Sequence, residues 1–425
     1  MSLKFNQLII KNFRSLIFIF FYSTILFGFY LGENPTQGAR VDFFYHLNTL
    51  RDFDLNLSQA LLNFNNVEYP TRISPIFLLY MFYLKSIFTN IDLMRFVSLN
   101  IYLISPFLFY NCLKIKFNQT SKNLLFFFSC FIYLSPSFRG NSIWPESSML
   151  GLLFFLISIY YFLKFEKNKN ILYALLNIIF LSIAAYIRPS FSLFAIYFFV
   201  AFFKEYLISY KIFFLILLNI FLSLPAFYYV FILGVSFIHG HGLSFNISNK
   251  ILIISSIIFL YLLPFLIVII KSNKIQFSSK KNLLILLLSL LIYFSLVPYF
   301  NYDLDKAGGG IFLHLSHYIS NSNNIFFLIS FISILSVSYI LMIDHKINFL
   351  LILIFLLLSP QTHIFHKYFD PIIIICLPLL FKLSIEKIFT KKILFILFLY
   401  FLIFYLINLV NSLLDLDLQE MLMKF

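Results

Sequence analysis

Asp42 and His46 stand four residues apart in GARVDFFYHLNTLRDFD, so a helix there carries both on one face. A carboxylate at a membrane boundary, made more basic by partial desolvation, suits the removal of a proton from a hydroxyl nucleophile. A polar helix face turned to water fits the same spacing. Glu146 follows Pro145 in NSIWPESS and opens an apolar run, which is the pattern of a helix N-terminus with an acid on its dipole; the functional alternative is a second carboxylate near Asp42. Arg188, in AAYIRPSF, separates two apolar runs, where an arginine either snorkels to headgroups or clamps a phosphate. In SPQTHIFHKYFDP, His363, His366 and Lys367 fall close together, a set of cationic and proton-carrying groups suited to a lipid phosphate, or to anchoring beside Tyr368 in an aromatic belt. Gly308, Gly309 and Gly310 follow Lys306 and precede His314 and His317. They would either expose backbone N–H groups to an anion, with His317 as a donor-binding residue, or form a mobile loop. Asp52 and Asp54 imitate a metal-binding DxD pair without any Rossmann-like context, and His239 and His241 lack a third ligand nearby, so no metal set is assigned.

The elements that must position these residues are membrane helices. In a chain of 425 residues, 61% are hydrophobic, 11% are charged and Phe supplies 61 positions, which excludes a soluble globule. The net charge of +14 reflects membrane topology rather than a nucleic-acid partner. Fourteen apolar segments are expected, at 16–31, 73–89, 93–111, 123–138, 147–163, 171–187, 189–203, 212–233, 251–270, 283–299, 325–343, 347–359, 371–384 and 393–411. If 73–89 does not fully cross, most Lys and Arg residues fall on the cytoplasmic side, while most acidic residues and every histidine but His345 fall outside. The expected architecture is an all-α polytopic membrane protein, a single transmembrane domain over 1–425 with about 12–14 transmembrane helices. Segments 32–72 and 300–324 form external loops, the first holding interfacial helices and the catalytic groups. Cys112, Cys130 and Cys376 read as buried thiols.

Taken in order, these stretches resemble membrane glycosyltransferases of the GT-C fold that use polyprenyl-phosphate-linked sugars, and most closely the dolichyl-phosphate-glucose α-1,2-glucosyltransferases of N-glycan precursor assembly. VDFFYH is similar to that family's acidic start of the first lumenal loop and LMRFVSL to its Leu-Arg-Phe-Val stretch. WPESS, YIRPSF and PQTHIFHKYFDP resemble its Thr-Glu-Ala-Gly, Phe-Arg-Gln-Thr and Pro-Gln…Arg-Tyr-Phe…Pro segments, and Tyr69-Pro70 opens a stretch like its proline-led one. The resemblance implies inverting transfer of one hexose from a polyprenyl-phosphate carrier to a hydroxyl of a glycan, lipid-linked or protein acceptor, on the external or lumenal face. It makes Asp42 the base, with His46 and Glu146 beside it, and Arg188, Lys367 and His366 the groups that neutralise the leaving phosphate. Membrane lipids are the other expected partners. No cofactor is implied with certainty, and a divalent cation on the donor phosphate stays open. Phe43, Pro189–Ser190 and Phe365 depart from the family pattern, which weakens the glucose and N-glycan part of the expectation. The composition, rich in Phe, Ile, Lys and Asn, points to a bacterial plasma membrane rather than an endoplasmic reticulum. The alternatives are a lipid-linked glycan transporter or flippase, and a glycan polymerase.

Overall fold

The computed structural model describes residues 2–35, 38–62, 64, 74–207, 209–234, 244, 246–273, 275, 279–304 and 308–422. Tyr69, Pro70, His239, His241 and Lys306 lie outside the described residues. The helices are α1 Ser2–Tyr30, α2 Gly38–Leu62, α3 Pro75–Ile87, α4 Ile91–Tyr102, α5 Ser105–Lys116, α6 Lys122–Ser129, α7 Pro136–Ile143, α8 Ser147–Asn168, α9 Ile171–Ile187, α10 Phe194–Tyr206, α11 Tyr210–Phe227, α12 Ile247–Ser272, α13 Lys280–Leu296, α14 Ile311–Ser320, α15 Asn324–Ile343, α16 Ile347–Leu357, α17 Ile372–Leu379 and α18 Lys391–Leu422. No strand forms among the described residues, so the chain is an all-α polytopic membrane protein.

Polar residues start these apolar helices. Ser74, Asn90, Ser135, Asn170, Asn246 and Ser279 each cap a helix by accepting a backbone N–H, and Pro75 and Pro136 follow their caps at the first helical position. Such caps satisfy donors that would otherwise be orphaned beside lipid.

Among the described residues, eight helical stretches are long and apolar enough to cross a membrane: Asn12–Tyr30, Ile91–Lys116, Ser147–Asn168, Tyr210–Ile232, Ile247–Ser272, Lys280–Tyr299, Asn324–Ile343 and Lys391–Leu414. Four more apolar helices are shorter, at Pro75–Ile87, Lys122–Leu134, Ile171–Ile187 and Ile347–Leu357. That is fewer long spans than the 12–14 expected, and prolines account for several of the differences. The run 123–138 ends at the cap Ser135-Pro136, the run 189–203 begins as a 3-10 turn at Pro189, and 371–384 yields only the 8-residue α17, with Pro378 inside it. The 13 residues of α3 span roughly 20 Å at 1.5 Å per residue, short of a hydrocarbon core about 30 Å thick.

The described chain falls into two compact units: Met1–Phe237 with Phe389–Phe425, and Ile238–Ile388. In the first, α8 packs along α9 and α5, and α18 packs on α6 and α7. In the second, α12 packs on α15, and α13 and α14 also lie against α15.

The first unit is organised around a buried ion pair. Arg139 is fully buried and Glu33 is 1% exposed. Arg139 grips the carboxylate with two bonds, Nε to Oε1 at 2.8 Å and Nη2 to Oε2 at 2.5 Å. Its remaining N–H groups go to Thr24 Oγ1, the Tyr133 carbonyl and the Thr24 carbonyl, and the Tyr405 ring covers the guanidinium at 4.4 Å. All five arginine donors are thus used inside the protein. The approach of α1 requires glycine at position 28, because a Cβ there would stand 2.1 Å from Glu33 Oε2 and 2.7 Å from Arg139 Nη2.

Gly28→Ala is therefore expected to force the pair apart and to cost about 3 kcal/mol, since splitting a buried ion pair costs roughly 3–5 kcal/mol. Thermal unfolding of the detergent-solubilised protein checks this; an unchanged midpoint would mean that the pair tolerates the intrusion.

Candidate functional site

In the first unit the segment Ser135–Ser148 is polar yet buried, and it carries the site. Short α7 ends at Trp144, whose indole N–H donates to the carbonyls of Gly32 and Glu33 at 3.3 and 3.1 Å. The Arg139–Glu33 pair holds one end of this segment and Trp144 the other, so the α1–α2 turn is fixed against it. The first turn of α2 then packs on the same indole, with Phe43 and Phe44 ring centroids 5.8 and 6.1 Å away and the Arg40 guanidinium at 5.2 Å. Asp42 sits in this turn, half-exposed beside the buried Phe43. Ala39, Phe43, His46, Leu50 and Phe53 form the buried stripe of α2, at helical spacing. His46 therefore belongs to the packed face, 4% exposed with its ring edge-on to Phe77, while Asp42 flanks that face.

Two residues beyond Trp144, Glu146 caps α8. Its Oε2 accepts from the Ser148 backbone N–H at 3.1 Å and from Arg188 Nη1 at 2.8 Å, and Arg188 also donates to Ser147 Oγ at 3.1 Å. The helix-terminus reading of Glu146 is what the geometry shows, with an ion pair added to it. Arg188, 9% exposed and expected either to snorkel to headgroups or to clamp a phosphate, is paired with the carboxylate of Glu146. Gly151 makes room for this pairing: a Cβ would meet the Phe191 ring at 2.7 Å and the Arg188 Cβ at 3.4 Å.

The second unit gathers the late cluster. His366 Nε2 lies 2.5 Å from the Tyr261 hydroxyl. Burial lowers the imidazole pKa below its ordinary value of 6.5, and the opposing charge of Asp370 offsets this only in part. Burial thus works against the positive charge expected of His366. Lys367 is half-exposed, with Nζ 5.7 Å from the Phe365 ring centroid. The Phe365 ring therefore supports the cation through its face. His317 Nε2 is engaged by Asn323 Oδ1 at 2.7 Å, and His314 Nε2 by the Gly308 carbonyl at 2.6 Å.

The glycine run lies against neighbouring backbone. All three glycines have positive φ, and a Cβ on Gly308 would stand 2.7 Å from the Ile364 carbonyl oxygen. Gly309 donates its N–H to that same carbonyl at 3.0 Å, and the Tyr302 hydroxyl accepts from the Ile364 N–H at 3.2 Å. The run thereby pins the strand-like stretch that leads to His366.

Asp52 and Asp54 lie on α2 with Asp54 ion-paired to Lys85, and among the described residues no three His, Cys, Asp or Glu side chains gather as a metal site. Cys112, Cys130 and Cys376 are free buried thiols. Glu33, Arg139, Trp144 and Tyr261 were not singled out from the sequence. The signals were present: an arginine between Ser-Pro and Gly within an apolar stretch, an acid directly after a membrane helix, and the only tryptophan of the chain.

Replacing Glu146 by Gln and Arg188 by Gln, singly and together, is expected to give a coupling energy of about 1–3 kcal/mol in a double-mutant unfolding cycle; additive losses would deny the pair its role. His366 adds a pH dependence. Because its folded pKa is depressed, its contribution is complete above the ordinary imidazole value near 6.5 and is lost as pH falls through the lowered pKa. Unfolding midpoints measured across mildly acidic pH should drop for the native protein, and the drop should shrink in His366→Gln.

No protein-family model matches this chain, and no curated protein or solved structure matches it. Membrane architecture is what the fold establishes.

Proposed function

We propose that the chain is an inverting membrane glycosyltransferase of GT-C type. It moves a hexose from a polyprenyl-phosphate carrier to an acceptor hydroxyl at the external face of a bacterial plasma membrane. The observation that carries this reading is the packing of the Asp42-bearing turn of α2 on Trp144, two residues before Glu146, which holds Arg188. A half-exposed carboxylate is thereby mounted on a rigid, buried polar segment, as a general base requires.

In the proposed step Asp42 accepts the proton of the acceptor hydroxyl while that oxygen bonds to C1 of the sugar. The C1–O bond to phosphate breaks, and the polyprenyl phosphate leaves with the bonding electrons. Glu146 and Arg188 position the segment beside Asp42. The second unit, taken by itself, offers Lys367 as a cation and His366 as a hydrogen-bonding partner of the kind that suits a phosphate. Fixed charge opposite the leaving group is usually the largest catalytic contribution. The transporter reading gains nothing from Glu33–Arg139, because every donor of that arginine is already committed to the protein.

The test is incubation of membranes containing the protein with labelled polyprenyl-phosphate hexoses, following the label to its acceptor. Asp42→Asn is expected to lower transfer by roughly 100- to 10,000-fold, the usual worth of a general base, while leaving donor binding intact. Near-normal transfer by Asp42→Asn would remove Asp42 as the base, and no movement of label from any such donor would remove the reaction.

A further inference from the structure

Two guanidinium groups gather on one indole. The Arg95 carbon lies 3.6 Å from the Trp144 ring centroid and the Arg40 carbon 5.2 Å from it, so two like charges are held as neighbours and repel each other. Arg95 is also 4.9 Å from the Phe29 ring centroid. Its Nε donates to the Ile143 carbonyl at 3.1 Å and its Nη1 to Asp92 Oδ1 at 2.8 Å. Its Nη2 is buried and has no hydrogen-bond partner among the described residues, although the residue is only 7% exposed. Asp92 is 74% exposed, so its hold on Arg95 is screened by water and is weak. Arg40 is exposed, and no carboxylate ion-pairs with it among the described residues.

Stacking alone does not explain this arrangement. A cation held on an aromatic face needs one guanidinium, and a buried donor without an acceptor costs about as much as a hydrogen bond contributes. Two neighbouring arginines with spare donors and flat rings behind them match the planar, multi-oxygen geometry of a phosphate. The indole cannot turn away, because its own N–H is held by the Gly32 and Glu33 carbonyls.

We infer that Arg95 and Arg40, stacked on Trp144, form a binding site for a phosphate oxyanion, either of a phosphorylated lipid or of a soluble phosphate. The site differs from the Arg188 position singled out from the sequence, whose charge Glu146 already offsets. It does not depend on the transfer reaction, because binding needs neither sugar nor acceptor. A protein that bound phosphate here and transferred nothing would lose the proposed activity and keep the site.

Trp144 is the only tryptophan of the chain and reports on its own surroundings. The full-length protein in phosphatidylcholine nanodiscs is titrated in one arm with inorganic phosphate. In the other arm it is titrated with phosphatidylcholine vesicles containing undecaprenyl phosphate, and indole emission is followed in both. Saturable emission change is expected, weakened roughly tenfold by Arg95→Lys, which keeps the charge but loses the fork, and several-fold by Arg40→Gln, which is exposed and leaves the core untouched. Lys164→Gln, a charge loss elsewhere, should leave the affinity unchanged. Saturation by the vesicles alone identifies a lipid phosphate, and saturation by inorganic phosphate as well identifies the free anion. No saturable change in either arm, or one that neither arginine substitution weakens, overturns the inference.

Discussion

The bidentate grip of Arg139 on Glu33 is the constraint on which the first unit depends. It joins chain positions more than a hundred residues apart, draws in the Thr24 carbonyl of α1 and the Tyr133 carbonyl before α7, and lies under a ring of α18. An arginine and a glutamate with almost no exposure are tolerable only because each polar atom meets a partner; unpaired, either would be costly in the interior. Once the pair forms, the α1–α2 turn has one permitted place, and the segment that follows α7 runs alongside it.

That segment is the unusual part of the fold. Irregular backbone in a membrane protein survives only where protein encloses it. Here residues 144–146, between α7 and α8, are buried in protein and bring Trp and Glu side chains into the core. Charge is handled by local pairing, Glu146 with Arg188 and Glu33 with Arg139. The second unit fixes its late cluster through backbone and hydroxyl contacts. Gly308, Gly309 and the Tyr302 hydroxyl clasp the backbone of Ile364, with His366 against Tyr261 and Lys367 half-exposed.

Apolar runs made the membrane helices legible, and 171–187 coincides with α9 to the residue. Their interruptions were harder to read. Ser135-Pro136 stands within an apolar run and ends one helix while capping the next, a local event that a hydropathy window averages away. The late cluster was visible as residue types, but the burial of His366 and its bond to Tyr261 were not, because that hydroxyl comes from a helix a hundred residues earlier. Glu146 and Arg188 were each noticed alone; that they face one another is a property of how α8 and α9 pack, and no spacing rule reports it. Asp42 and His46 share a helix as expected, yet the stripe through Phe43 and Leu50 decides which of the two is buried.

The ring that shields Arg139 belongs to Tyr405 in α18, whereas Glu33, Thr24 and Arg139 itself all occur in the first third of the chain. During synthesis, therefore, the ionic clasp can close long before its aromatic cover has left the ribosome. Throughout that interval one side of a guanidinium faces whatever occupies the vacant place of α18, be it lipid, water or the insertion machinery. The enclosure of Arg139 is thus complete only with α18 in place.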